Sequence, residues 1–226
     1  MDVSVLSARS IKTVYTYNAP LGRKRQSTKR LNKGKNKMAK TLQSQKIAVL
    51  ISNGFNEADF LMIQKAMIEQ GASLRIVSTD SGLVNGWDGK GWGHNFAIDA
   101  QLNTALGIDY DAVIIPGGQR SLDKLKLTAH SRRFIGSFIA AMKPVMCMGD
   151  AVQLLAHTDH LNGKTVSGPE VKKGMVEAAG ATWSEEAITM DGQTMTGDTE
   201  GDKLAGYVAA AIDMMVQNVS SMKQAA

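Results

Sequence analysis

The segment Lys143–Leu155, KPVMCMGDAVQLL, constrains the fold of this chain most narrowly. Pro144–Met148 is a short apolar run typical of a buried strand, Gly149 and Asp150 form a sharp corner, and an amphipathic helix follows. A strand, a tight turn and a helix in this order form the elbow that lifts a reactive Ser or Cys above a sheet. Gly149 stands at this corner and has no side chain to react. The sequence therefore predicts the scaffold of a nucleophilic enzyme without its nucleophile.

Strand and helix patterns alternate along the chain from Lys46 onwards, which is typical of βαβ units and a parallel sheet. Continuous apolar runs predict strands that are covered on both faces, and apolar residues at helical spacing predict helices between them. The expected strands are Lys46–Ser52, Ser73–Ser78, Asp111–Ile115 and Val145–Met148, with a hairpin at Ile188–Met190 and Gln193–Met195 around a type I′ turn at Asp191-Gly192. The expected helices are Glu57–Glu69 (closed by Gly71), Ser131–Met142, Ala151–His157, Glu170–Ala179 and Asp202–Gln217.

The glycine-rich segment Gly82–Phe96 carries two large aromatic residues, Trp87 and Trp92. We interpret it as a hairpin whose Trp side chains pack on the sheet or on a neighbouring subunit, and a ligand-binding loop is the alternative. Large aromatic residues are common at interfaces, so the segment predicts an oligomer contact. Arg120, Lys124 and Lys126 follow the turn at Gly117 and Gly118, where they would attract an anionic ligand or cover a solvated helix face.

Four segments together resemble the ThiJ/PfpI superfamily, a class-I glutamine amidotransferase-like group. They are the elbow, KIAVLISNGFNEADF at Lys46–Phe60, DAVIIPGG at Asp111–Gly118, and a DGQTMTG hairpin with its closing helix within Ala181–Met214. Their order and spacing carry the resemblance, which covers roughly residues 45–217. It implies an α/β, flavodoxin-like three-layer sandwich with a mostly parallel central sheet over residues 45–220.

The resemblance also implies where a site would lie. Active members of the superfamily carry Cys-His at the elbow, and an ungapped match puts Gly149 on the Cys and Asp150 on the His. Asp59 matches the family's acidic residue, and the turn with Gly117 and Gly118 matches the one that supplies an oxyanion-hole amide. The Gly-Asp-Ala corner resembles the C-terminal domain of large-subunit catalases more than it resembles the active members. That domain is a branch of the superfamily that also lacks the nucleophile. The resemblance implies a dimer or a higher oligomer. It does not imply a cofactor.

The residues themselves leave three candidates for catalysis. Cys147, the only cysteine, lies within a predicted strand, where a buried and inert thiol is the simpler interpretation. Asp59 and Asp150 would share a proton if they met, and they would then serve as acid and base on a bound water. The alternative is that Asp150 caps the helix beginning at Ala151 and that Asp59 is favoured by its own helix dipole. No metal ligand set is visible.

Basic charge is concentrated in the leader, residues 1–44. Eleven of the 26 Lys and Arg residues, but one of the 21 acidic residues, precede Lys46. Such a stretch buries too little apolar surface to fold, so we expect disorder. It would be an over-extended start ahead of Met38, a transit peptide to an organelle, or an arm that binds nucleic acid. One cysteine and no apolar run of ~18 residues predict a cytoplasmic protein without a membrane span.

Besides a nucleic-acid-associated role, which only the leader suggests, the sequence supports two functions. The first is a non-catalytic or altered-activity module for binding and oligomerisation, with a stress-related role, whose small-molecule ligand would lie at the carboxyl ends of the strands. The second is a hydrolase or a glyoxalase- or deglycase-like enzyme that uses Cys147 or the pair Asp59 and Asp150.

Overall fold

The computed structural model describes residues 41–225. The basic segment up to Lys40 and the alternative start at Met38 lie outside the described residues, so the predictions about them stay predictions. The disorder predicted up to residue 44 is wrong for residues 41–44, because Leu42 is buried in the core and its N–H donates to the Gln70 main-chain oxygen at 3.0 Å. No helix within residues 41–225 has the length and the apolar character that crossing a membrane requires.

Strands and helices alternate through this part of the chain. The strands are β1 (Lys46–Leu50), β2 (Phe55–Asn56), β3 (Ser73–Ser78), β4 (Leu83–Trp87), β5 (Trp92–Ala97), β6 (Ala100–Gln101), β7 (Ala112–Ile115), β8 (Val145–Met148), β9 (Thr165–Val166), β10 (Thr182–Trp183), β11 (Ile188–Asp191) and β12 (Thr194–Gly197). The helices are α1 (Glu57–Glu69), α2 (Gln119–Leu125), α3 (Ala129–Ala140), α4 (Val152–His157), α5 (Lys173–Ala178) and α6 (Lys203–Ala225).

Seven strands form the central sheet in the order β11-β12-β8-β7-β1-β3-β6. Every neighbouring pair is parallel except β11 and β12. Strands β2, β4 and β5 form a small second sheet, and β9 pairs with β10. Because the carboxyl ends of β1, β7, β8 and β12 lie along one edge, the segments that follow these strands are brought together there.

The hydrophobic core lies on both faces of the sheet. Helices α1 and α6 cover one face, and α2 to α5 cover the other. Side chains alternate between the two faces, as they must in a strand. In β8, Met146 and Met148 pack with α1 and α6, whereas Val145 and Cys147 pack with the opposite layer. The predicted three-layer α/β sandwich with a mostly parallel sheet is confirmed.

Every predicted strand and helix is present, three of them with the predicted bounds. α1, β3 and β8 begin and end where the pattern placed them, and Gly71 follows α1 with φ of +90°. The helix predicted at Ser131–Met142 begins at Ala129, because Thr128 caps it, and ends at Ala140. The predicted strand Lys46–Ser52 ends early, at Leu50, because Ser52 turns its N–H to the Ser121 hydroxyl oxygen at 2.8 Å.

Some predictions of helix and turn geometry were wrong. The hairpin turn is Gly192-Gln193 and not a type I′ turn at Asp191-Gly192, since Asp191 still pairs with Thr194 and only Gly192 has a positive φ. A 3-10 turn over Gly149–Ala151 precedes α4, another over Glu170–Lys172 precedes α5, and α6 continues past Gln217 to Ala225.

Candidate functional site

The elbow at the end of β8 has the predicted shape and forms one wall of a crevice. Gly149 follows the strand with φ of +55°, a left-handed conformation that Gly adopts without steric cost. The crevice has a volume of about 700 Å³, and Asp59, Gly118, Gly149 and Asp150 all line it. The structure therefore brings together the residues that the sequence placed at the carboxyl ends of the strands.

The space above Gly149 is filled by a hydroxyl group. A Cβ atom at position 149 would lie 2.8 Å from Thr199 Oγ1 and 4.0 Å from Asp59 Oδ2. Thr199 is 7% exposed and follows β12, the strand that pairs with β8. Sequence reasoning missed Thr199, although its position just after a sheet strand was a signal that it would reach this edge.

Asp59 lies in the first turn of α1 and points into the crevice floor. Asn56 caps this helix, with its Oδ1 accepting from the N–H groups of Ala58 and Asp59. Asp59 Oδ2 accepts from the Gly117 N–H and from the Thr199 hydroxyl, both at 3.2 Å. Only 1% of the residue is exposed. This burial raises the pKa of Asp59 to about 6, against the lowering effect of the two hydrogen bonds.

Asp150 reaches across the crevice. Its Oδ1 accepts from the Gly118 N–H at 2.9 Å. Helix α4 has Ala151 at its N-cap and no side chain bonded there. The interpretation of Asp150 as a helix cap was therefore wrong, because its carboxylate satisfies an N–H on the neighbouring strand's turn. Burial raises the pKa of Asp150, and the Gly118 hydrogen bond opposes this.

The two carboxylates converge on the turn after β7. A Cβ atom at Gly117 would lie 2.6 Å from Asp150 Oδ1 and 3.0 Å from Asp59 Oδ2, so both oxygens flank one small space. Gly118 has φ of +114°, and a Cβ atom there would lie 2.5 Å from the main-chain nitrogen of Asn56. Both features require glycine at this position. Both N–H groups of this turn, from which the family resemblance takes an oxyanion-hole donor, donate to a carboxylate of the chain itself.

Cys147 does not face the crevice. It is fully buried in the core layer against α2 to α5, and burial raises the pKa of its thiol. Its main-chain oxygen accepts from the Tyr207 hydroxyl at 2.9 Å. The geometry agrees with the interpretation of Cys147 as a small core residue.

Acidic residues and one Trp complete the crevice. Asp88, Asp198 and Glu200 line it together with Trp87. Asp198 is held by Lys203, whose Nζ lies 2.5 Å from Oδ2, and this ion pair is among the contacts that lower the pKa of Asp198. Within residues 41–225, no cluster of three or more His, Cys, Asp or Glu side chains is placed to hold a metal ion.

The hairpin predicted at Gly82–Phe96 is confirmed as the β4–β5 hairpin, and Glu57 fixes it to α1. Glu57 is 6% exposed. Its Oε2 accepts from the His94 N–H at 2.8 Å, and its Oε1 lies 2.5 Å from His94 Nδ1. The Glu57 hydrogen bond is the main cause of a raised His94 pKa. Because the hairpin also supplies Trp87 to the crevice wall, Glu57 indirectly positions that wall.

Comparisons with known proteins agree with this architecture. YraA of Bacillus subtilis, which is named as a cysteine protease, is 30% identical over 161 residues, covering 70% of this chain and 92% of its own. General stress protein 18 of the same bacterium is 28% identical over 159 residues, covering 70% and 90%. A two-domain protein of Anabaena variabilis with DJ-1/ThiJ/PfpI-like and ferritin-like domains superposes with a TM-score of 0.69 at 25% identity. That match covers 75% of this chain and 47% of the two-domain protein.

The family assignment follows from the extent of these matches. The DJ-1/PfpI family model matches residues 45–210, which include the elbow, the turn after β7 and Asp59. The narrower likeness to the C-terminal domain of catalases stays a prediction. The chain belongs to the DJ-1/PfpI family.

Proposed function

We propose that this protein is a DJ-1/PfpI-family member without the elbow nucleophile, which binds a small molecule in its crevice and does not turn it over by acyl transfer. The observation that carries the proposal is the corner itself, where Gly149 stands and Thr199 Oγ1 lies 2.8 Å from the site of a Cβ atom. Nucleophilic catalysis needs a side chain at such a corner.

The turn after β7 supports the same conclusion. Acyl transfer generates an oxyanion, which preorganised N–H donors must stabilise. Here the Gly117 and Gly118 N–H groups already donate to Asp59 and Asp150. A developing oxyanion would have to displace a carboxylate and then sit beside it, which Coulomb repulsion opposes.

A binding role fits the size of the crevice. Its volume of about 700 Å³ falls within the roughly 300–1,000 Å³ typical of small-molecule sites. The name of General stress protein 18 supports a stress-related role. Self-association and a cytoplasmic location belong to the same proposal.

A cysteine introduced at position 149 tests whether the elbow still holds a side chain where a reagent can reach it. In a Cys147→Ala background, Gly149→Cys together with Thr199→Gly places a thiol at the corner and removes the hydroxyl that would crowd it. We expect iodoacetamide to alkylate this thiol in the folded protein and Gly149→Cys alone to react more slowly. The wild type should not hydrolyse an activated ester such as p-nitrophenyl acetate. Hydrolysis by the wild type that Asp59→Asn abolishes would contradict the proposal.

One observation favours a second function, a hydrolase or a glyoxalase- or deglycase-like enzyme based on two carboxylates. Asp59 and Asp150 converge at Gly117, and the pKa of each is raised by burial, to about 6 for Asp59. A carboxyl group with a pKa near neutral, as Asp59 has, suits general acid or base catalysis. Cys147 has no such support, because it is buried in the core.

The carboxylate enzyme makes a separate prediction. Turnover would vary with pH around 6 and would be lost in both Asp59→Asn and Asp150→Asn. Asp198→Asn is the matched control, since Asp198 lines the same crevice but is paired with Lys203. Equal activity in all three variants would exclude the two carboxylates as the catalytic groups.

A further inference from the structure

A shallow groove separate from the crevice carries an exposed aromatic ring and basic side chains. Asn53, Asn85, Trp92 and Lys124 line a space of about 580 Å³. Arg120 adjoins it, with its guanidinium carbon 5.5 Å from the centre of the Trp92 ring. We call these five residues the Trp92 groove. None of the five lines the crevice.

The Trp92 ring is held in place but uncovered. It meets Trp87 edge to face, with ring centres 5.6 Å apart and planes at 88°. Arg120 stacks over Trp87 at 3.9 Å and so supports the pair from α2. Even so, 57% of Trp92 is exposed. A large, rigid and uncovered aromatic ring is a stacking surface for another planar group.

Positive charge lies beside this ring. Within residues 41–225, no acidic side chain forms an ion pair with Arg120. Lys124 Nζ lies 3.4 Å from Asp80 Oδ1, and 48% of the Lys124 side chain is exposed. The other Asp80 oxygen accepts from Ser52 and from the Asn53 N–H. Among the described residues, Asp80 pairs with Lys124 alone, so the charge of Arg120 is not balanced by an ion pair and the groove attracts an anion.

Amide groups form the remaining part of the groove. Asn53 Oδ1 accepts from the Asn85 N–H at 2.8 Å, which fixes the Asn53 side chain and directs its amide nitrogen away from that bond. No described residue bonds to the side chain of Asn85. An Asn amide can pair with the N6 and N7 edge of adenine, with one donor and one acceptor.

We propose that the Trp92 groove binds an adenosine 5′-monophosphate group, either as the free nucleotide or as the 5′ end of a strand. The base stacks on Trp92, the phosphate lies between Arg120 and Lys124, and the Asn amides meet the base edge. This site is distinct from the crevice and does not depend on whether the crevice is catalytic.

Isothermal titration calorimetry on the full chain tests the proposal with four probes: AMP, adenosine, inorganic phosphate, and a 5′-phosphorylated oligonucleotide that begins with adenosine. AMP should bind at least about tenfold more tightly than adenosine or phosphate, because neither probe has both the base and the charge. The loss of affinity in Arg120→Gln, measured once with AMP and once with the oligonucleotide, tells the free nucleotide from the strand end, because the leader is the same in both proteins.

Variants assign the binding to the groove. Trp92→Ala and Arg120→Gln should each weaken binding about tenfold or more, whereas Trp92→Phe keeps a stacking ring and most of the affinity. Arg132→Gln is the matched control, since Arg132 is exposed on α3 and paired with Asp159. The basic leader is the same in every variant, so its contribution cancels.

Two results would overturn the proposal. One is that neither AMP nor the phosphorylated oligonucleotide binds the wild type. The other is that Arg120→Gln and Trp92→Ala bind as tightly as Arg132→Gln. If Trp92→Ala does not fold, Arg120→Gln and Lys124→Gln decide the matter, because both change exposed side chains of α2.

Discussion

The protonation of Asp59 sets how the charge of the crevice changes with pH. Its carboxylate is buried, and its described hydrogen-bond donors are the neutral Gly117 N–H and Thr199 hydroxyl. A buried carboxylate without a cationic partner favours its protonated form. The protein therefore holds at its crevice floor a group that changes charge near pH 6.

This shift makes the stability of the protein depend on pH. The folded pKa of about 6 lies above the ordinary value of 3.8, so the folded state binds more protons than the unfolded state between these values. Stability is then lost as pH rises from about 4 to about 7, by up to roughly 3 kcal/mol. Asp59→Asn keeps an acceptor oxygen but cannot titrate, so its stability relative to wild type should increase by that amount over the same range.

Urea unfolding at several pH values between 4 and 8 measures the difference. Asp213→Asn on α6 serves as a control for an acidic residue outside the crevice. A constant difference between Asp59→Asn and wild type across this range would show that Asp59 does not titrate as described.

The sequence predicted most residues of this site but not the hydrogen bonds between them. Gly149, Asp59 and Asp150 were identified from the motifs, and the structure places all three at one crevice. The hydrogen bond from the Gly118 N–H to Asp150 was not predicted, because the local sequence around Asp150 is typical of a helix cap. Local sequence does not show which N–H group from 32 residues away will lie next to the carboxylate. Thr199 was missed for the same reason, since its contact with Asp59 spans 140 residues.

The contact between α1 and the β4–β5 hairpin is the main feature at the scale of elements. The Glu57 carboxylate fits between two glycines, and a Cβ atom would lie 2.2 Å from its Oε2 at Gly86 and 1.7 Å at Gly93. Glycine-rich sequence in this hairpin thus serves close packing and is not a sign of a loose loop. The sequence predicted the hairpin, but its glycines alone did not reveal what would pack against them.

Two glycines of this hairpin should differ in their response to the same substitution. Gly93→Ala forces the buried Glu57 carboxylate to move and should destabilise the protein by about 1–3 kcal/mol. Gly91→Ala is the matched control, because no atom lies within 4 Å of a Cβ there, and its effect should stay within about 0.5 kcal/mol. Urea midpoints give both values, and similar losses for the two would contradict the packing described for Glu57.

At the scale of the whole molecule, the order of the parallel strands builds the crevice. β8 lies between β7 and β12, so the corner at Gly149 meets the turn after β7 on one side and Thr199 on the other. Alternating strands and helices predicted this sheet, since strands covered on both faces by helices read as continuous apolar runs. The short strands β2, β6, β9 and β10 were not predicted, because they have two residues each and leave no periodic signal.

The reactivity of the single cysteine shows whether the elbow lacks a nucleophile. The intact mass of the wild-type protein would be measured after iodoacetamide treatment at pH 8, once folded and once in urea. Since Cys147 is buried in the core, we predict no adduct on the folded protein and one adduct in urea. Rapid alkylation of the folded wild-type protein, slowed by Asp59→Asn, would instead reveal a reactive thiol at the site. The elbow would then have a nucleophile after all.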